Sequence, residues 1–81
     1  MPKYLDHHKA VQVPPDMLKQ VVADMKAGKV TNGIRPINGF ASKDEAWCLI
    51  EAPNADAVRK LHEVYGLKGN EVSVTEVQTM V

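Results

Sequence analysis

Three histidines and one cysteine in 81 residues are the side chains best suited to hold a transition metal. Imidazole combined with thiolate or carboxylate suits Zn, Ni, Cu or Fe, and not Mg or Ca. His7 and His8 are adjacent, so on a strand they point to opposite faces. His62 lies on or beside the apolar stripe of a segment with helical spacing, and Cys48 sits inside an apolar run. No HExxH, CxxC or H-x₃-H spacing is present, so any metal site must be assembled from distant parts of the chain. Each residue also has a plainer reading. A helix histidine near an apolar stripe is commonly a hydrogen-bonded core residue, a lone buried cysteine behaves as a small hydrophobe, and a His pair ending a strand is often just solvated.

Other chemistries find less support. Gly28, Gly33 and Gly39 are too far apart to cradle a phosphate, and no G-x-S-x-G elbow occurs. A mid-strand Cys48 between apolar neighbours reads as a neutral thiol rather than a nucleophile. Tyr4, Phe40, Trp47 and Tyr65 are the residues that would stack on bases, but the aromatic motif of sheet-based RNA binders is missing. The sequence offers no complete catalytic constellation.

Six short segments and the turns between them must position these groups. Lys3 to His8 reads as a strand. Pro14 and Pro15 open a helix, where a missing N–H costs nothing, and Asp16 suits the helix dipole. Met17, Leu18, Val21, Val22 and Met25 form its apolar stripe, and Gly28 stops it. Thr31-Asn32-Gly33 signals a turn. Ile34 to Ala41 is a strand whose Pro36 places it at a sheet edge. After the polar loop Ser42–Glu45, Ala46 to Ile50 is apolar on both faces, as expected of a central strand. Asn54 caps a second helix with Ala55, Val58, Leu61, His62 and Tyr65 facing inward, and Gly66-Leu67 ends it in a Schellman turn. Glu71 to Val77 alternates as a last strand.

The order β-α-β-β-α-β defines an α+β, ferredoxin-like fold: a four-stranded antiparallel sheet with two helices on one face, and residues 1–81 forming a single ferredoxin-like domain. Its usual sheet order puts the first and third strands in the centre. That brings His7-His8 beside Trp47-Cys48, with the second helix and His62 over the same sheet. The candidate cluster is His7 or His8, Cys48 and His62, with Asp6, Glu51 and Glu63 as nearby carboxylates. Trp47 and Leu49 point one way and Cys48 and Ile50 the other, so one apolar set faces away from the helices. An exposed apolar patch of that kind usually marks an interaction surface, and a homodimer through the open sheet face is the simplest way to cover it.

Composition narrows the partners. Ten Lys+Arg balance ten Asp+Glu, giving zero net charge, whereas a phosphate-gripping nucleic-acid binder usually carries a basic excess. Apolar residues at 44% argue against intrinsic disorder. No apolar run approaches the roughly 20 residues that span a bilayer, the start carries no signal segment, and one cysteine forms no internal disulfide. The expectation is a cytoplasmic protein with neither nucleic acid nor membrane as partner.

Pro2-Lys3-Tyr4-Leu5-Asp6-His7-His8, the run Ala46-Trp47-Cys48-Leu49-Ile50-Glu51-Ala52-Pro53-Asn54 continuing to Leu61-His62-Glu63, and Gly66-Leu67-Lys68-Gly69-Asn70-Glu71-Val72 match, in order and spacing, segments of a known family. It is a family of small bacterial nickel-binding, nickel-responsive proteins, and about half of the chain resembles it. The resemblance implies a ferredoxin-like fold, a dimer, and nickel or zinc held through histidines. The positions that coincide with the family's motifs are His7 or His8, Cys48, Glu51 and His62. The chain departs from the pattern where family members often carry further histidines: it has Gln20-Val21-Val22 on the first helix and Tyr65 before the final Gly-Leu. Fewer imidazoles imply fewer or weaker metal sites. Two functions follow as expectations. One is a dimeric protein that senses or buffers nickel or zinc. The other is a ferredoxin-fold dimer with a small-ligand or enzyme-like pocket near Cys48, His62 and Tyr65.

Overall fold

The computed structural model describes residues 1–11, 14–64 and 66–80. The elements follow as strand β1 (Lys3–Lys9), helix α1 (Pro15–Ala27), strands β2 (Arg35–Ala41) and β3 (Glu45–Glu51), helix α2 (Ala55–Glu63), a 3₁₀ turn (Gly69–Glu71) and strand β4 (Ser73–Val77). The strands form one antiparallel sheet in the order β2-β3-β1-β4, so the fold is α+β and ferredoxin-like as the pattern predicts. Pro36 sits on an edge strand, where its missing donor breaks no ladder. The register slips beside it, between Pro36 and Asn38.

Local chemistry fixes the helix ends. Pro15 occupies the first turn of α1, and Gly28 closes it at φ 67°, donating its N–H to Met25 while Lys29 donates to Asp24. Asn54 Oδ1 accepts the Ala57 N–H at 2.8 Å to start α2. Gly66, at φ 80°, and Leu67 donate to the Glu63 and His62 carbonyls to end it in the same way. Between α1 and β2, Asn32 and Gly33 both adopt positive φ, so Thr31 and Ile34 pair across a tight turn. The last strand is shorter than its alternation suggests. Glu71 ends the 3₁₀ turn and its carboxylate accepts the Lys68 N–H, which delays extended backbone until Ser73.

Residues paired across antiparallel strands share a face. Tyr4, Asp6 and His8 on β1, and Ala46, Cys48 and Ile50 on β3, face the helices. The core is Tyr4, Ile34, Ile50, Ala52 and Val58, with Leu61 and Val74 packed against it, and it lies under α2. No residue of α1 is buried, although Met17, Leu18, Val21, Val22 and Met25 recur at helical spacing. Leu18 remains 52% and Val22 41% exposed. This helix therefore stands off the sheet and bounds a cavity of about 560 Å³.

The opposite face carries Leu5, His7, Trp47 and Leu49, with Phe40 across from Trp47. His7 stacks on the Trp47 ring at 5.1 Å and its Nε2 lies 2.8 Å from Glu45. Arg35 forms a two-pronged ion pair with Glu51, whose carboxyl is held below its usual range first by the Arg35 hydrogen bonds and then, against some burial, by the Arg35 and Lys3 charges.

Candidate metal centre

Alternation along β1 carries Asp6 and His8 to the helix side, two residues apart, with the buried Tyr4 marking that side as interior. Asp6 is fully buried, and Cys48 is its direct partner on β3. His62 lies one turn after Val58 on the inward stripe of α2, which aims its ring down at the sheet. Asp6, His8 and Cys48 each offer a ligand atom, and these atoms all lie within 4.8 Å of one another. His62 joins them, with its Nε2 at 3.3 Å from Asp6 Oδ1 and its ring edge-on to His8 at 4.8 Å.

Both imidazoles are held the same way. His62 Nδ1 donates to the Val58 carbonyl and His8 Nδ1 donates to the Lys9 carbonyl, each at 2.7 Å. A carbonyl only accepts, so the proton of each neutral ring is committed to Nδ1 and the Nε2 lone pair is left free. Those two Nε2 atoms face the Asp6 carboxylate at 3.3 and 3.8 Å. Neutral rings would set acceptors against acceptors, and only a cation between them removes the conflict. In the metal-free protein that cation is a proton on His62. Burial opposes its charge, but Asp6, Cys48 and the Val58 carbonyl outweigh it and hold the pKa up at about 10.

The proton leaves the pocket incompletely satisfied. His62 is close to Asp6 but poorly aligned, and neither Asp6 oxygen has a hydrogen-bond partner among the described residues. A buried charge in that state costs several kcal/mol unless compensated, on the order of 3–5 when a partner is missing. The donor set (two imidazoles, one carboxylate, one sulfur) is that of a borderline transition metal. Bonds of ~2.0–2.3 Å place opposed ligands up to ~4.6 Å apart, close to the present spread. The fit is therefore good, and the rings already carry the carbonyl partners that fix ligand orientation in such sites.

Cys48 is half-buried and has Gly39 opposite it on β2. A side-chain carbon at Gly39 would lie 3.7 Å from both Cys48 Sγ and Met25 Cε. Glycine thus keeps a window between the sulfur and the cavity beneath α1, whose wall includes His8, Cys48 and His62.

Of the residues expected from sequence, His8, Cys48 and His62 come together here. His7 and Glu51 do not: each side chain lies on the open sheet face and is engaged by Glu45 or Arg35. Odd and even positions of a strand cannot share a face, and no bulge intervenes at His7. Glu63 is exposed at the end of α2. Tyr65, expected beside the pocket, lies outside the described residues. Asp6, placed only in the neighbourhood by sequence reasoning, is at the centre, and the alternation Tyr4-Asp6-His8 is the signal that identifies it.

Among the described residues no helix is long and apolar enough to cross a membrane. Comparison with curated proteins and with solved structures finds no match. A family model described as "Nickel responsive protein SCO4226-like" matches residues 4–77. That span takes in β1 from Tyr4 onward, the other three strands, both helices and every member of the buried cluster, and the chain belongs to this family.

Proposed function

We propose that this protein binds nickel through Asp6, His8, Cys48 and His62 and serves as a sensor or buffer of that ion, with zinc as the competing metal. The observation that carries the reading is the fully buried Asp6 carboxylate, without a hydrogen-bond partner among the described residues, facing two imidazoles whose Nδ1 protons are already committed. Bound there, the ion would supply the positive charge that the pocket otherwise takes from a proton. The chain's own contribution is preorganisation. Val58 and Lys9 carbonyls orient the rings, Asp6 supplies the anion, and the Cys48 sulfur supplies the soft donor that favours nickel or zinc over magnesium or calcium. Exchange of ion for proton gives a simple coupling between metal level and fold stability.

The test is a titration of metal-free protein with Ni²⁺ and Zn²⁺, read by near-ultraviolet absorption and thermal unfolding. Ni²⁺ is expected to raise a sulfur-to-nickel band that the Cys48→Ser variant lacks, and to stabilise the wild type. No band and no thermal shift with either metal would overturn the assignment.

In the same reading, a second copy covers the open sheet face. Phe40 is 59% and Leu5 38% exposed there, around the half-buried Trp47 and Leu49. Sedimentation of the wild type should then report a dimer and that of Trp47→Glu a monomer. A monomeric wild type at micromolar concentration would remove this part of the proposal.

A further inference from the structure

We propose that the cavity under α1 is a binding site for a small organic carboxylate with an apolar tail, a function that needs no metal in the cluster beside it. Leu18, Val21, Val22 and Met25 of α1 face Ile37 and Ala46 of the sheet across the space, so its walls are apolar. Its volume of about 560 Å³ lies within the ~300–1,000 Å³ of small-molecule sites. The occupant that this volume fits is a small molecule.

Three further features choose its chemistry. Leu18, Val21, Val22 and Met25 of α1 recur at helical spacing, yet none of these side chains is fully buried. Val21 and Met25 are half-buried against the sheet while Leu18 and Val22 stay exposed, so much of this apolar surface has no neighbour among the described residues. Lys26, in the last turn of α1, lines the same cavity and has no ion-pair partner among the described residues. An anionic head at Lys26 with a tail running between the helix stripe and Ile37 satisfies both. Gly39 keeps the inner end open where a larger residue would narrow it against Met25 and Cys48.

The experiment is calorimetric titration of the metal-free full chain with hexanoate, octanoate and decanoate, and with octanol as the uncharged control. Affinity is expected to rise about fourfold per added methylene, the ~0.8 kcal/mol of a buried CH₂. Lys26→Met should weaken octanoate at least fivefold and leave octanol unchanged. Val22→Phe, at a position exposed enough to leave folding intact, should fill the space and weaken decanoate about tenfold at unaltered melting temperature. Equal affinities across the chain-length series, octanol weakened as much as octanoate in Lys26→Met, or undiminished decanoate binding by Val22→Phe would each overturn the proposal. The last two series share no reagent with the nickel titration, so failure of one reading leaves the other standing.

Discussion

Asp6→Asn is expected to lower the stability of the metal-free protein at pH 7 by on the order of 3 kcal/mol and to flatten its dependence on pH. The wild-type pair consists of a buried carboxylate and a His62 ring whose pKa, opposed by burial but raised by Asp6, Cys48 and Val58, stands at about 10. In the unfolded chain that ring titrates near 6.5. A base whose folded pKa is raised adds stability that is complete below the unfolded value and disappears as pH climbs through the folded one. Between those values the native state holds one proton more than the unfolded state, so unfolding free energy should fall by about 1.4 kcal/mol per pH unit. Urea unfolding of metal-free protein at pH 7, 8 and 9 measures the slope directly. In Asp6→Asn the anion that holds the proton is gone, His62 titrates near its ordinary range, and the slope should vanish. The two stability curves therefore converge as pH rises. Parallel curves would show that Asp6 and His62 do not form the stabilising pair.

His62→Gln is expected to remove most of the stabilisation that nickel confers. At 100 times its dissociation constant, a ligand selective for the native state adds about 2.7 kcal/mol. For a domain this small, each kcal/mol moves the melting temperature by ~4–8 °C, so the wild-type shift should exceed about 10 °C. A hundredfold weaker site at the same nickel concentration retains only about 0.4 kcal/mol, a shift of ~2–3 °C. Glutamine keeps the polarity and much of the volume of the ring, which limits the packing loss at a position only 3% exposed. Proton release supplies a second readout. Nickel binding at pH 8 must displace the Nε2 proton of His62, so calorimetry in buffers of different ionisation enthalpy should count about one proton fewer in the variant. An unchanged melting shift together with an unchanged proton count would place His62 outside the site.

The architecture was legible because its punctuation is local. Pro15, Gly28, Asn54 and Gly66 mark helix ends through backbone chemistry that depends on no distant contact, and Pro36 identifies an edge strand for the same reason. The cluster was only partly legible. Adjacent His7 and His8 must face opposite ways, but which one turns inward depends on which face of β1 the helices cover. Asp6 is harder still, since an aspartate is almost never fully buried unless paired, and its partner is 56 positions away. Glu51 lies three residues from Cys48, and this odd spacing sends it to the other face to meet Arg35. The α1 stripe shows the opposite failure: hydrophobic periodicity reports which side of a helix faces the sheet, and carries nothing about how closely it approaches.

That stand-off has a kinetic meaning. A helix with no buried side chain, packed chiefly on an edge strand, belongs to the part of the fold that opens at the smallest free-energy cost. Amide hydrogens of α1 should exchange with solvent long before those of β1 and β3, which carry the cluster. Whatever enters or leaves the Cys48 window therefore passes a cover that yields by sub-global opening while the strands beneath stay paired. Exchange at the buried cluster can then be rapid without any loss of the sheet that orients its donors.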